Sequence, residues 1–129
     1  ARDAFRRALA YNARYEPARE YLNVVNEVLA LDPTLRGLGV EERYRRSRDL
    51  AGRALAALER CLKEQLVPPE TADLVDEARK AIESRPRNRA LAADTNVALA
   101  EELWEQRAAF CGAGGDDEPV ARVLARLSK

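Results

Sequence analysis

Histidine and methionine are both absent from these 129 residues. Without imidazole there is no histidine base, no histidine metal ligand and no histidine switch near neutral pH. Serine–histidine and cysteine–histidine nucleophile pairs are excluded on the same ground. Two cysteines alone do not make a structural zinc site, which needs four ligands, so no metal and no cofactor is expected. Aromatic residues are only 5% of the chain, too few for a stacking platform for nucleic acid. No apolar run approaches the roughly 18 residues that a membrane-spanning helix needs. Net charge is also missing: 22 basic groups face 22 acidic ones. That balance removes the simplest argument for a nucleic acid or an anionic membrane as partner. No glycine-rich phosphate loop follows a strand.

The missing methionine has a second meaning. A translated chain begins with Met, and this one begins with Ala1. Ala1, Phe5, Ala8 and Leu9 already fall at the spacing of one helix face, with no capping residue before them. The reading expects further protein upstream.

What is present is helix-forming. There are 24 alanines, and Leu, Glu and Arg dominate the remainder, while Val is scattered without alternation. The pattern predicts an all-α chain of about six helices in antiparallel hairpins. The first runs to about Tyr11 and the second from Glu16 to Leu31, with Ala18, Tyr21, Leu22, Val25, Val28 and Leu29 inward. Asp32 and Pro33 stop the second helix. The third, from Val40 to about Leu66, is the longest, and Tyr44, Ala51, Ala54, Leu55, Leu58 and Leu62 line one face of it. Gly52 interrupts it, and a close helix crossing is the expected reason. The fourth runs from Pro69 to Ser84 with Ala72, Val75, Ala78, Ala81 and Ile82 inward. RPRNR (85–89) reads as a loop, with a frayed turn through 90–93. The fifth starts near Asp94 or Thr95, ends at Cys111 before Gly112, and turns Val97, Ala100, Leu103, Trp104 and Ala108 inward. A short sixth helix after Pro119 presents Val120, Val123, Leu124 and Leu127.

Residues 8–33, ALAYNARYEPAREYLNVVNEVLALDP, resemble the junction between two tetratricopeptide repeats. Ala1, Phe5, Ala8 and Leu9 match the second helix of such a repeat. Asn12, Ala13, Arg14 and Tyr15 match the turn, with Ala13 where the family usually has proline. Ala18 and Leu22 match the next helix, although Asn23 stands where glycine is common. Small residues let paired helices approach and the aromatic fills the gap between repeats. From Thr34 onward the period of about 34 residues is lost. The resemblance implies the C-terminal end of a repeat array over residues 1–33, capped by a diverged helical bundle over 34–129 within the same compact domain. It implies a protein or peptide partner, with Arg19, Asn23 and Asn26 lining the groove. The competing reading leaves Asn23 and Asn26 merely exposed on an irregular bundle.

Two further constellations stand out. Cys61 and Cys111 each lie near the C-terminal end of a helix, and an up-down-up arrangement brings those ends to one pole. A disulfide there implies a periplasmic or extracytoplasmic location; two separate buried thiols leave the chain cytoplasmic. The densest basic run, RYRRSRDLAGR (43–53), makes Arg45, Arg46, Arg48 and Arg53 candidates for an anion contact. The alternative is a solvated face paired locally with Glu41, Glu42 and Asp49. Residues 1–60 carry 12 basic and 9 acidic groups, and residues 61–129 carry 10 and 13, so the neutral total hides a +3 half and a −3 half. The carboxylate pairs Glu101–Glu105 and Asp116–Asp117 lie on polar faces or in a glycine-rich turn, without the burial that acid catalysis requires. Trp104 reads as core. The expected function is a non-catalytic interaction scaffold, with a homo-oligomerising assembly domain of the cell envelope as the alternative.

Overall fold

The computed structural model describes residues 16–63, 65–112 and 119–127. These form five helices and, among the described residues, no strand: α1 (Glu16–Leu31), α2 (Val40–Leu62), α3 (Pro69–Glu83), α4 (Arg89–Cys111) and α5 (Pro119–Leu127). The helix expected before Tyr11 and the Asp116–Asp117 pair lie outside the described residues.

The frame is the pair α2 and α4, which share by far the largest interface. Glu41 meets Arg89 near the N-terminal ends, Ser47 meets Asn96 further along, and Cys61 meets Cys111 at the C-terminal ends. The sequence separations are 48, 49 and 50, so the two helices run parallel and in register. Alanine makes this contact close. Ala51, Ala54 and Ala100 are fully buried, and Leu50, Leu58 and Leu103 fill the space beside them. Each such leucine contributes about 1.5–3 kcal/mol through burial.

α3 returns antiparallel to both helices, so its last turn lies beside the start of α2. There Tyr44 Oη donates to Ser84 O at 3.5 Å. At the other end, Thr71 Oγ1 donates to Gln106 Oε1 of α4 at 3.0 Å. Pro69 occupies the first helical position, where its missing N–H costs nothing. α1 and α5 pack on each other and close the core with Val28, Leu31, Val120, Val123 and Leu124.

The observed elements depart from expectation in six places. α2 stops at Leu62, because Lys63 turns to φ +50 and donates its N–H back to Glu59 O. Leu66, expected in the helix, is fully exposed. α4 begins at Arg89, one and a half turns early, because the Asn88 side chain accepts from Leu91 N at 3.0 Å and caps it. Asp94 and Thr95 are therefore interior, and Thr95 Oγ1 bonds back to Leu91 O.

The inner faces of α3 and α4 are rotated from the expected ones. Thr71, Leu74 and Ala78 are buried on α3 while Ala72 is exposed. On α4 the buried set is Ala93, Asn96, Leu99, Ala100 and Leu103, with Val97 and Trp104 half-buried and Ala108 exposed. Tyr21 on α1 is 40% exposed. Among the described residues Gly52 meets no helix crossing: no atom of theirs beyond its own helix backbone and chain neighbours lies within 4 Å of where a Cβ would stand.

Candidate functional site

The basic run on α2 is spread over three neighbourhoods, and Arg45, Arg46, Arg48 and Arg53 are each engaged. Arg45 grips Glu42 with two nitrogens, at 2.5 and 3.0 Å. Arg46 shares the same carboxylate at 2.8 Å and is only 16% exposed. Hydrogen bonds from Arg45 first, and then from Arg46, hold the Glu42 carboxyl down at about 2. The same bond raises the Arg45 guanidinium above its ordinary value. Arg53 faces Asp49 at 3.4 Å.

Arg46 and Arg48 also close helices. Arg46 Nη1 donates to Leu29 O at 2.6 Å and to Asp32 O at 3.3 Å, at the C-terminal end of α1. α1 has no basic residue in its own last turn, so α2 supplies the cation that its dipole favours. Arg48 Nε donates to Ile82 O at 2.6 Å and does the same for α3. Of the four arginines proposed for an anion, two therefore serve helix ends and two form local ion pairs.

Asp32 is the second knot at the end of α1. Its Oδ1 accepts from Thr34 N at 2.8 Å and Thr34 Oγ1 at 2.7 Å, and its Oδ2 faces Arg126 Nη1 of α5 at 3.3 Å. The residue is 1% exposed. The Asp-Pro stop thus ends the helix and fastens α5 to it.

Beside the arginines lies an open trough of about 1050 Å³ between the first half of α2 and the last turn of α3. Arg45, Arg48, Gly52, Arg85 and Arg89 line it, with Glu41, Glu42, Asp49 and Glu83 among the walls. Arg89 bonds Glu41 and sits 5.3 Å above the ring of Tyr44, which is itself buried. A smaller groove between α4 and α5 is lined in part by Trp104, and the Arg107 guanidinium lies over the Trp104 ring at 4.6 Å from its centre. Trp104 is thus half core and half surface, where a core position was expected.

Arg19, Asn23 and Asn26 are exposed along one stripe of α1, directed away from Val28 and Leu31. Cys61 and Cys111 stand at disulfide distance, with their Cα atoms 6.1 Å apart. Among the described residues no group of three or more Cys, Asp or Glu is placed to hold a metal, and no helix is long and apolar enough to cross a membrane. Glu101 and Glu105 are exposed on α4.

Compared with protein-family models, with curated proteins and with solved structures, the chain matches none. Its all-helical architecture therefore rests on the geometry described here.

Proposed function

We propose that this chain is a non-catalytic protein-interaction module, the C-terminal end and cap of a tetratricopeptide-like helical scaffold. The observation that carries this reading is the exposed stripe of Arg19, Asn23 and Asn26 on a helix whose opposite side is anchored in the core. Side-chain amides spaced in this way hold the backbone of a bound peptide, since each offers both donors and an acceptor. The rigid closure of α1 by Arg46 and Asp32 supports a fixed presentation of that stripe.

The test is site-specific photocrosslinking in the complete protein. A photoreactive residue at Asn23 or Asn26 should give a discrete protein adduct. The same residue at Asp73 on α3 should not. Equal labelling from all three positions, or adducts from none, overturns the reading.

The Cys61–Cys111 pair favours a second, compatible reading, that the module works in the cell envelope or another oxidising compartment. Thiol trapping in intact cells tests it: both cysteines should resist alkylation until a reductant is added.

A further inference from the structure

We propose that the Cys61–Cys111 bridge is an exchange site, entered at Cys111 by the thiolate of a reducing dithiol, and that opening it releases the last turn of α4. The two cysteines are not equivalent. Cys111 is exposed, and so are Ala108, Ala109 and Gly112 around it. Cys61 is half-buried, and its Sγ lies 3.9 Å from the Arg107 carbonyl of α4. Thiol–disulfide exchange depends on which sulfur the incoming thiolate can reach. The open side of this bridge is Cys111.

The chemistry closes in two steps. The incoming thiolate forms a bond to Cys111 Sγ as the Cys61–Cys111 bond breaks. The electron pair leaves on Cys61, which takes a proton from water. The second thiolate of the dithiol then attacks the sulfur that entered. Cys111 leaves and is protonated in its turn, and the dithiol departs as a disulfide. Two electrons have passed to the protein. The reverse role, donating a disulfide to other proteins, fits less well. A helix N-terminus holds a cysteine as its thiolate and favours that role. Cys61 and Cys111 lie in the last turns of α2 and α4, at the opposite end of the dipole.

The position of the bridge confines what its opening changes. The α2–α4 seam is tied separately by Glu41 with Arg89 and by Ser47 with Asn96, both far from the cysteines. In the last turn of α4, Phe110 packs against the core, while Ala108 and Ala109 do not. That turn therefore depends on the bridge more than the rest of the helix does.

This inference rests on the bridge being formed, as the compartment reading does. Thiol counting in the untreated chain separates the two: two free thiols overturn both, whereas a closed bridge that fails the tests below overturns the exchange alone. The full chain is mixed with reduced glutathione, quenched with acid at intervals, alkylated and mapped by mass spectrometry. Glutathione should sit on Cys111 at least about tenfold more often than on Cys61. Dithiothreitol then opens the bridge completely. Amides of residues 108–111 should take up deuterium at least about tenfold faster than in the bridged chain, while Ala93–Leu103 stays protected over the first minute or so. The Cys61→Ser, Cys111→Ser double variant should label fast in that turn with or without dithiothreitol. Equal glutathione on both sulfurs, or a last turn equally protected in both states, overturns the proposal. So does loss of protection along the whole of α4, because the bridge would then hold the entire fold and not one turn.

Discussion

The Arg46 guanidinium of α2 reaches across to the Leu29 carbonyl of α1, 17 residues earlier, and donates to it at 2.6 Å. One side chain thereby ends one helix while it is held by Glu42 on its own. Arg46→Gln should cost about 2 kcal/mol, because a largely buried, charge-assisted bond is lost and a carbonyl is left short of a donor. Urea unfolding of the two proteins measures the difference. Arg46→Lys should recover only part of it, since an ammonium is a point charge and cannot bridge Leu29 O and Glu42 in one plane.

The depressed acidity of Glu42 predicts a pH dependence of known sign. Its folded value of about 2 lies below the ordinary carboxylate value of 4.5, so its pairing stabilises the fold above about pH 4.5. That contribution falls away as pH drops from there through about 2. Thermal midpoints of the native protein and Glu42→Gln should therefore differ at pH 7 and converge toward pH 2. A gap that stays constant across that range contradicts the assignment.

The Cys61–Cys111 link spans a sequence separation of 50. Its removal in a Cys61→Ser, Cys111→Ser double variant should lower stability by about 2–4 kcal/mol, mainly by freeing the unfolded chain. Reductant should destabilise the native protein by a like amount and leave the double variant unchanged. Calorimetry with and without dithiothreitol reads both.

Asn96 donates to Ser47 Oγ at 3.3 Å in the middle of the α2–α4 seam, and Ser47 in turn donates to Tyr44 O at 2.7 Å. Both side chains are buried, so Asn96→Ala should cost about 1–2 kcal/mol. A double-mutant cycle with Ser47→Ala should return a coupling near 1 kcal/mol. Independent, additive losses would show that the pair does not act as one unit.

Much of the helix pattern was legible because it is carried locally. Glu16, Leu31, Val40 and Pro69 bound helices as the spacing and the prolines indicate, and every residue assigned to the inner face of α2 is buried. The start of α4 was not legible, because its cap is an asparagine inside a run of arginines with no apolar spacing. Asn96 hid the true inner face of the same helix, since a buried polar residue looks outward-facing to any hydrophobic count. The candidate site divides in the same way. Pairing of Arg45 with Glu42 and of Arg53 with Asp49 follows from three- and four-residue spacing. The capping of α1 by Arg46 and of α3 by Arg48 spans separations of 17 and 34, and only the fold brings those groups together. Gly52 stands out in the sequence for its cost to a helix, but the open space beside it is a property of the fold.

The parallel seam closed by Cys61 and Cys111 also has a mechanical consequence. Tension applied to the two ends of the chain passes through the sulfur bridge and bypasses α3 altogether. A stretched molecule should come up short by about 170 Å of contour, at about 3.4 Å for each of the 50 bridged steps. A protease cutting at the exposed Leu66 would leave two pieces that still migrate as one until the bridge is reduced.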